Sequence, residues 1–276
     1  VFARQSELFK IIRGKITDRA AVFELLRGME EDMDTYLALT NPESSHWNFK
    51  LKNYVQQLRM FRVRQPFSFL LAAHRHLSEK DFSDVLRACM VIAFRYNVIG
   101  NLPTNEQERT YYLAAQKINS DYSLTHSLNL IEILKSLQEI YPKDEVFKSL
   151  FSDKIIRTTD SRNNRILRYI LCELERQHSG QDNDFESDTF NIEHVLPQNP
   201  EVGWEQFADE DVKSLVYRIG NMALLAKKAN KNIGNASYAV KRPILQESHF
   251  GLTQKLAEEN ADWTPSRIAA RQNMLA

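Results

Sequence analysis

Apolar residues recur at helical spacing over the first two thirds of the chain. Val22, Leu26, Met29, Met33 and Tyr36 fall at i, i+4, i+7, i+11 and i+14, which places them on one face of a helix. A similar pattern runs from Trp47 to His76 and is interrupted by Pro66, so it predicts two helices rather than one. Ser78-Glu79-Lys80-Asp81 has the form of a capping box and predicts a helix through Phe82, Val85, Leu86, Cys89 and Tyr96 that ends near Gly100. Leu130, Leu134, Leu137 and Tyr141 predict another, ending before Pro142. Leu167, Ile170, Leu171 and Leu174 form a further stripe, with Asp160 or Ser161 as its cap. No repeat of fixed period is present, which argues against a solenoid.

The texture changes at Gln177–Asp188, a polar, unpatterned stretch that reads as a linker or exposed loop. Thr189–Leu196 alternates in part, is β-prone and stops at Pro197. Asn221–Leu225 is a second short strand candidate after Gly220. Helical patterns resume over 237–245, 252–259 and 264–274, the last opened by Thr264-Pro265, a cap followed by proline at the first helical position. The expectation is a mainly α chain: an all-helical region over 1–180, then a small unit with two strands and surrounding helices over 181–276.

Composition narrows the class. In 276 residues, 43% are hydrophobic and 26% charged, which excludes a disordered tail, a collagenous chain and a disulfide scaffold. Eight glycines and eight prolines are few, in keeping with long helices. Cys89 and Cys172 lie inside apolar helical runs without a CxxC partner, which predicts buried thiols in a reducing, cytoplasmic setting and no cysteine zinc site. No apolar run is long enough for a membrane span; the longest, Val85 to Phe94, contains Arg87. The chain opens Val-Phe-Ala-Arg-Gln, with neither an initiator Met nor a signal-peptide pattern, and is expected to be part of a longer or processed protein. An oligomer is compatible with all of this.

The balance of 36 basic against 36 acidic residues conceals a local asymmetry. Ten acidic residues and no Lys or Arg lie between Gln177 and Val212, whereas the stretch from Val212 to Gln246 holds seven basic residues and no Asp or Glu. A solvated face is the ordinary meaning of a charge run. A basic block following a carboxylate-bearing strand is also what a phosphodiester-cleaving site requires: the carboxylate holds a cation, and the basic side chains attract the phosphate backbone.

Candidate chemistry converges on that boundary. Glu193 and His194 put a carboxylate and an imidazole at a strand end, and consecutive strand side chains share a site only where the backbone turns. Asn221 opens the second strand, Asn230 follows in a Lys-Lys-Ala-Asn-Lys-Asn context, and Lys241 and Arg242 sit on the next helix. Ile192-Glu193-His194-Val195-Leu196-Pro197-Gln198, Gly220–Leu225 and Asn230 together resemble the three parts of an HNH, or His-Me-finger, nuclease. The flanks, Gly234-Asn235, Tyr238, Lys241, Trp263-Thr264-Pro265 and Arg271, resemble the C-terminal nuclease domain of GmrSD-type restriction proteins.

The resemblance implies a ββα-metal fold and a metal-dependent DNA endonuclease that restricts foreign or modified DNA. His194 would be the general base, Glu193 and Asn230 the ligands of a divalent cation (Mg²⁺, with Mn²⁺ as the substitute), and Asn221 the brace that orients His194. Lys241 would contact the phosphate, and Lys227, Lys228, Lys231 and Arg242 would bind the nucleic acid. Glu stands where Asp is common in the superfamily and Asn where many members have His; Asn232 and Asn235 compete with Asn230 as the second ligand. Longer members carry a ParB-like nucleotide-binding domain. No phosphate-cradling glycine loop occurs here, so an NTP-binding domain or subunit is an expected partner. An RNA-cleaving enzyme of the same fold and a non-catalytic helical interaction module are the alternatives. The remaining histidines are expected to be structural or superficial; His74 and His76 are two apart on a helix and do not share a face.

Overall fold

The structure, a computed structural model, describes residues 7–276; the opening Val1–Gln5 segment lies outside them. The chain divides into two compact units, 1–142 and 143–276.

In the first unit, α1 (Leu8–Lys15) and α2 (Arg19–Thr40) precede α3 (Phe49–Phe61) and α4 (Phe67–His76), separated at Pro66 as expected. Then come α5 (Glu79–Ile92), α6 (Thr104–Thr125) and α7 (Leu130–Lys135). Ser78 caps α5, its Oγ accepting from the Asp81 amide at 3.1 Å. The helix continues to Ile99 as a π-helix, where Asn97 and Gln107 exchange two amide hydrogen bonds at 3.0 Å. Val55, Phe69, Leu70, Val85, Leu86 and Tyr111 form the interior.

The Val22–Tyr36 stripe lies on one helix, as its spacing predicts; its side chains are 42–55% exposed, and α2 buries Thr35, Ala38 and Leu39. One expectation changes here. The Leu130–Tyr141 pattern is not one helix. The Ser136 hydroxyl donates to the Ile133 carbonyl at 2.6 Å, competing with the helical ladder, and the chain resumes only as a 3₁₀ turn over Gln138–Ile140. His74 is structural, bonded through Nδ1 to Thr35 Oγ1 at 3.1 Å and through Nε2 to His46 at 3.3 Å.

The second unit begins with α8 (Asp144–Ser152) and α9 (Ser161–Ser179), capped by Asp160. β1 (Phe190–His194), α10 (Asp209–Leu215), β2 (Met222–Ala226), α11 (Lys227–Ile233), α12 (Tyr238–Gln246), α13 (Gly251–Glu259) and α14 (Pro265–Leu275) follow. The strands pair antiparallel, with Phe190 opposite Ala226 and His194 opposite Met222. In chain order α10 and a 3₁₀ turn over Ile219–Asn221 separate the two strands, and α11 follows β2 directly. Val195, Leu196, Ala223 and Leu225 join Trp204, Tyr238, Leu245, Leu256, Trp263 and Ile268 in one apolar cluster.

The polar stretch after α9 does not part the two units: residues 143–180 pack with the strands rather than with the helical region to which sequence patterning joined them. Arg168 on α9 explains this. Its guanidinium donates to the carbonyls of Phe185, Ser187 and Phe190 and lies 4.4 Å over the Phe190 ring, tying the loop and the start of β1 to α9. Buried Glu175, also on α9, accepts from the amides of Gly251 (2.6 Å) and Leu252 (2.9 Å) at the start of α13, where exposed N–H groups favour an anion.

Candidate active site

The site is assembled where the two strands begin and end. His194 closes β1 opposite Met222, which opens β2. The backbone of Val195 still donates to the Asn221 carbonyl at 3.0 Å, and the chain then turns through Leu196 and Pro197. Asn221 holds that turn. Its Oδ1 accepts from the Leu196 amide (2.8 Å) and Trp263 Nε1 (3.0 Å), and its Nδ2 donates to the carbonyls of Leu196 (2.9 Å) and Val216 (3.1 Å). Every hydrogen-bonding position of this fully buried amide is filled.

The sequence features flanking the motif turn out to support Asn221. Trp263 stacks on Tyr238 with ring centroids 5.6 Å apart, and the Tyr238 hydroxyl donates to the Asn260 carbonyl at 3.0 Å. Buried Arg271 donates to the carbonyls of Gly220 and Met222, both at 2.8 Å, and its burial lowers its pKa to about 10. Gly220 is required by close packing. A Cβ there would lie 2.2 Å from the Ile268 carbonyl oxygen and 2.9 Å from Gln272 Cβ, so only glycine lets α14 approach the turn before β2.

Glu193 is 5% exposed, and its Oε1 accepts from Lys241 Nζ at 2.5 Å. Lys241 is fully buried; the same ammonium donates to the His194 carbonyl at 2.9 Å and lies 5.9 Å over the Trp204 ring. The expected phosphate contact is therefore not where the structure puts this side chain: Lys241 joins α12 to the end of β1. Burial raises the Glu193 carboxyl to about 7 against the opposing pull of Lys241, and burial also lowers the lysine.

The His194 side chain points to other partners. Nε2 is 3.1 Å from Thr158 Oγ1, and the Tyr217 ring meets the imidazole edge-on with centroids 6.0 Å apart. Burial, together with the Lys241 charge, depresses its pKa to about 4, so the imidazole is neutral across physiological pH. Thr158 and Tyr217 escaped sequence reasoning. Both lie outside the motif, and the bridge between Ile155 and Arg218 that brings their segments together is too short to leave a pattern.

Asn230, on α11, donates through Nδ2 to the Ile192 carbonyl at 3.2 Å, leaving Oδ1 without a partner among the described residues. Asn235 donates to Glu201 at 3.4 Å and Asn232 is exposed. Lys227, Lys228 and Lys231 are exposed on α11 without an ion pair among the described residues. Arg242 is half-buried, its Nε donating to the Ala257 carbonyl at 2.9 Å. No cluster of three or more His, Cys, Asp or Glu side chains occurs among the described residues. The donor chemistry nevertheless fits a hard cation. Glu193 Oε2 and Asn230 Oδ1 are uncommitted oxygens on neighbouring elements, and Mg²⁺ is commonly held by one or two protein oxygens with water and phosphate completing its shell.

No helix among the described residues is long and apolar enough to cross a membrane. No curated protein matches the chain. Residues 141–276 match the family model described as GmrSD restriction endonucleases, C-terminal domain. Residues 141–276, which correspond closely to the second compact unit, thus belong to the family of GmrSD C-terminal domains.

Proposed function

We propose that the second unit is a metal-dependent DNA endonuclease of the HNH type, acting in restriction of foreign or modified DNA with His194 as general base. The observation that carries this reading is the braced end of the strand pair. Asn221 fixes the turn after β1 with four hydrogen bonds, so a neutral imidazole stands in a defined position at the end of the strand that also bears Glu193. The antiparallel strands followed by α11, with Asn230 tied to β1, support a ββα-metal arrangement.

In this reading His194 takes a proton from water as the oxygen attacks phosphorus. The bond from phosphorus to the leaving ester oxygen breaks, that oxygen is protonated from solvent, and the products are a phosphate monoester and a hydroxyl. Glu193 and Asn230 would hold the cation, which when bound supplies charge stabilisation at the phosphate and the leaving oxygen. Lys227, Lys228 and Lys231 would attract the duplex through its backbone charge. Lys241 acts by holding Glu193 and the His194 carbonyl rather than by touching substrate.

The test is incubation of the 276-residue chain with supercoiled plasmid and, separately, RNA, with Mg²⁺, Mn²⁺ or chelator, with and without ATP and GTP. Nucleotide is included because the resemblance implies an NTP-dependent partner. Metal-dependent plasmid cleavage abolished by His194→Ala is the expected result. Cleavage confined to RNA would replace the substrate, and full activity of His194→Ala would remove the base.

A further inference from the structure

The burial of Lys241 removes the side chain expected to contact the substrate phosphate and raises the question of what fixes the imidazole ring. Both answers lie on the connection between α8 and α9, outside the strand–strand–helix motif. This connection is held in place by its backbone: Ile155 bridges to Arg218, and the Ile156 amide donates to the Tyr217 carbonyl at 2.9 Å. Asn163 closes the other end, its Nδ2 donating to the Arg157 carbonyl at 3.1 Å. Between these anchors Thr158 is carried to 3.1 Å from His194 Nε2. The preceding residue, Arg157, is exposed. Its guanidinium lies 5.9 Å over the Tyr217 ring, which also meets the His194 ring edge-on, and makes no hydrogen bond or ion pair among the described residues. The other nearby guanidinium, Arg218, is already committed to the Ser152 carbonyl and Gln272 Oε1.

We propose that this connection is the missing wall of the active site: Thr158 is a positioning residue that orients His194, and Arg157 binds a phosphate of the cleaved strand. The inference rests on the nuclease reading above. A hydroxyl beside Nε2 sorts the two ring nitrogens. With Nε2–H donating to Thr158 Oγ1, Nδ1 keeps its lone pair, has no partner among the described residues, and is the atom that accepts the proton of the attacking water. A ring held in one tautomer and one rotamer spends no part of its time in a state unable to accept. Arg157 is suited to the phosphate because its fork of donors is unspent and the Tyr217 ring supports its plane.

Three readouts on the full chain separate the parts. In the His194→Ala background, which removes cleavage, adding Arg157→Ala should weaken binding to a duplex oligonucleotide several-fold and reduce the salt slope by about one contact. Thr158→Val should lower kcat by roughly tenfold or more with KM nearly unchanged, and Thr158→Ser should restore it. Nitrogen-15 NMR of the histidine side chains should show His194 as the single Nε2–H tautomer in the native chain and a mixture in Thr158→Val. Unchanged DNA affinity and salt slope in the Arg157→Ala double variant overturn the phosphate role. An unchanged tautomer, or a kcat equal to the native value in Thr158→Val, overturns the positioning role. If the native chain cuts no nucleic acid, the nuclease reading fails, and the tautomer and binding measurements still decide the two assignments.

Discussion

Lys241 Nζ and Glu193 Oε1 lie 2.5 Å apart in the interior of the second unit, with the lysine side chain 0% and the glutamate 6% exposed. The pair fastens α12 to the end of β1, because the same ammonium also holds the His194 carbonyl. Taking both charges from water is costly, and removing one partner strands the other. Lys241→Met and Glu193→Met should each destabilise the chain by about 3–5 kcal/mol, whereas the two combined should recover much of that loss. Urea unfolding of the four proteins measures this directly. A double variant as unstable as the sum of the singles would show that the charges are held by something besides each other.

Asn221 is predicted to be irreplaceable even by its nearest relative. Asn221→Ala leaves two donors and two carbonyls unpaired in the interior, at about 1–3 kcal/mol for each group that water cannot reach. Asn221→Asp keeps the acceptor for Leu196 and Trp263 but sets a carboxylate oxygen against the carbonyls of Leu196 and Val216. It should therefore be about as destabilising as the alanine, and the melting temperatures of the two variants compare them. A native-like Tm for Asn221→Asp would mean that the amide nitrogen contributes little.

The two strands and the last three helices were legible from local signals: β-prone runs bounded by Pro197 and Gly220, apolar periodicity, and the cap at Thr264. What was not legible depends on long-range contact. The polar run after α9 looks like a linker because nothing local shows Arg168 reaching the carbonyls of three later residues. Lys241 reads as a phosphate ligand because a basic residue on a basic stretch gives no sign that it faces inward toward Glu193. Thr158 is 36 residues before His194 and carries no pattern at all. The Val22–Tyr36 stripe marks a different limit: periodicity gave the helix and its shared face, but does not report whether that face is covered.

Gly220→Ala tests the packing of α14 on the site. The added methyl would meet the Ile268 carbonyl at 2.2 Å, and that contact is backbone, so it cannot swing aside. Overpacking of this kind costs about 1–3 kcal/mol. The turn leading into Asn221 would shift with it, so a lower unfolding midpoint should be accompanied by weakened nuclease activity. Full stability in Gly220→Ala would show that α14 can withdraw without disturbing the turn.

The exposed lysines of α11 should act on affinity rather than on the chemical step. Replacing Lys227, Lys228 and Lys231 together by Gln removes up to three phosphate contacts, so the dependence of log binding constant on log salt should become shallower by about three. The fold should be indifferent, since none of the three is buried. Fluorescence anisotropy across a salt series gives the slope. An unchanged slope would move the nucleic-acid surface to another face.

The pH dependence of stability, measured without metal, should report two opposing titrations. His194 has its folded pKa lowered from 6.5 to about 4, so between those values the unfolded chain binds the extra proton and stability is lost as pH falls. Glu193 has its folded pKa raised from 4.5 to about 7, so over that window the folded chain binds the extra proton and stability is lost as pH rises. Each pKa unit corresponds to about 1.4 kcal/mol, so either slope alone is measurable. From about pH 4.5 to 6.5 these two contributions nearly cancel, so the native chain should show a smaller slope there than a variant lacking either group. His194→Asn removes one side of the balance, and its stability should decline steadily as pH rises from about 4.5 to 7. Glu193→Gln removes the other, and its stability should decline as pH falls from about 6.5 to 4. Urea midpoints across this range give both profiles. Slopes of the same sign in the two variants would mean that burial does not govern both groups.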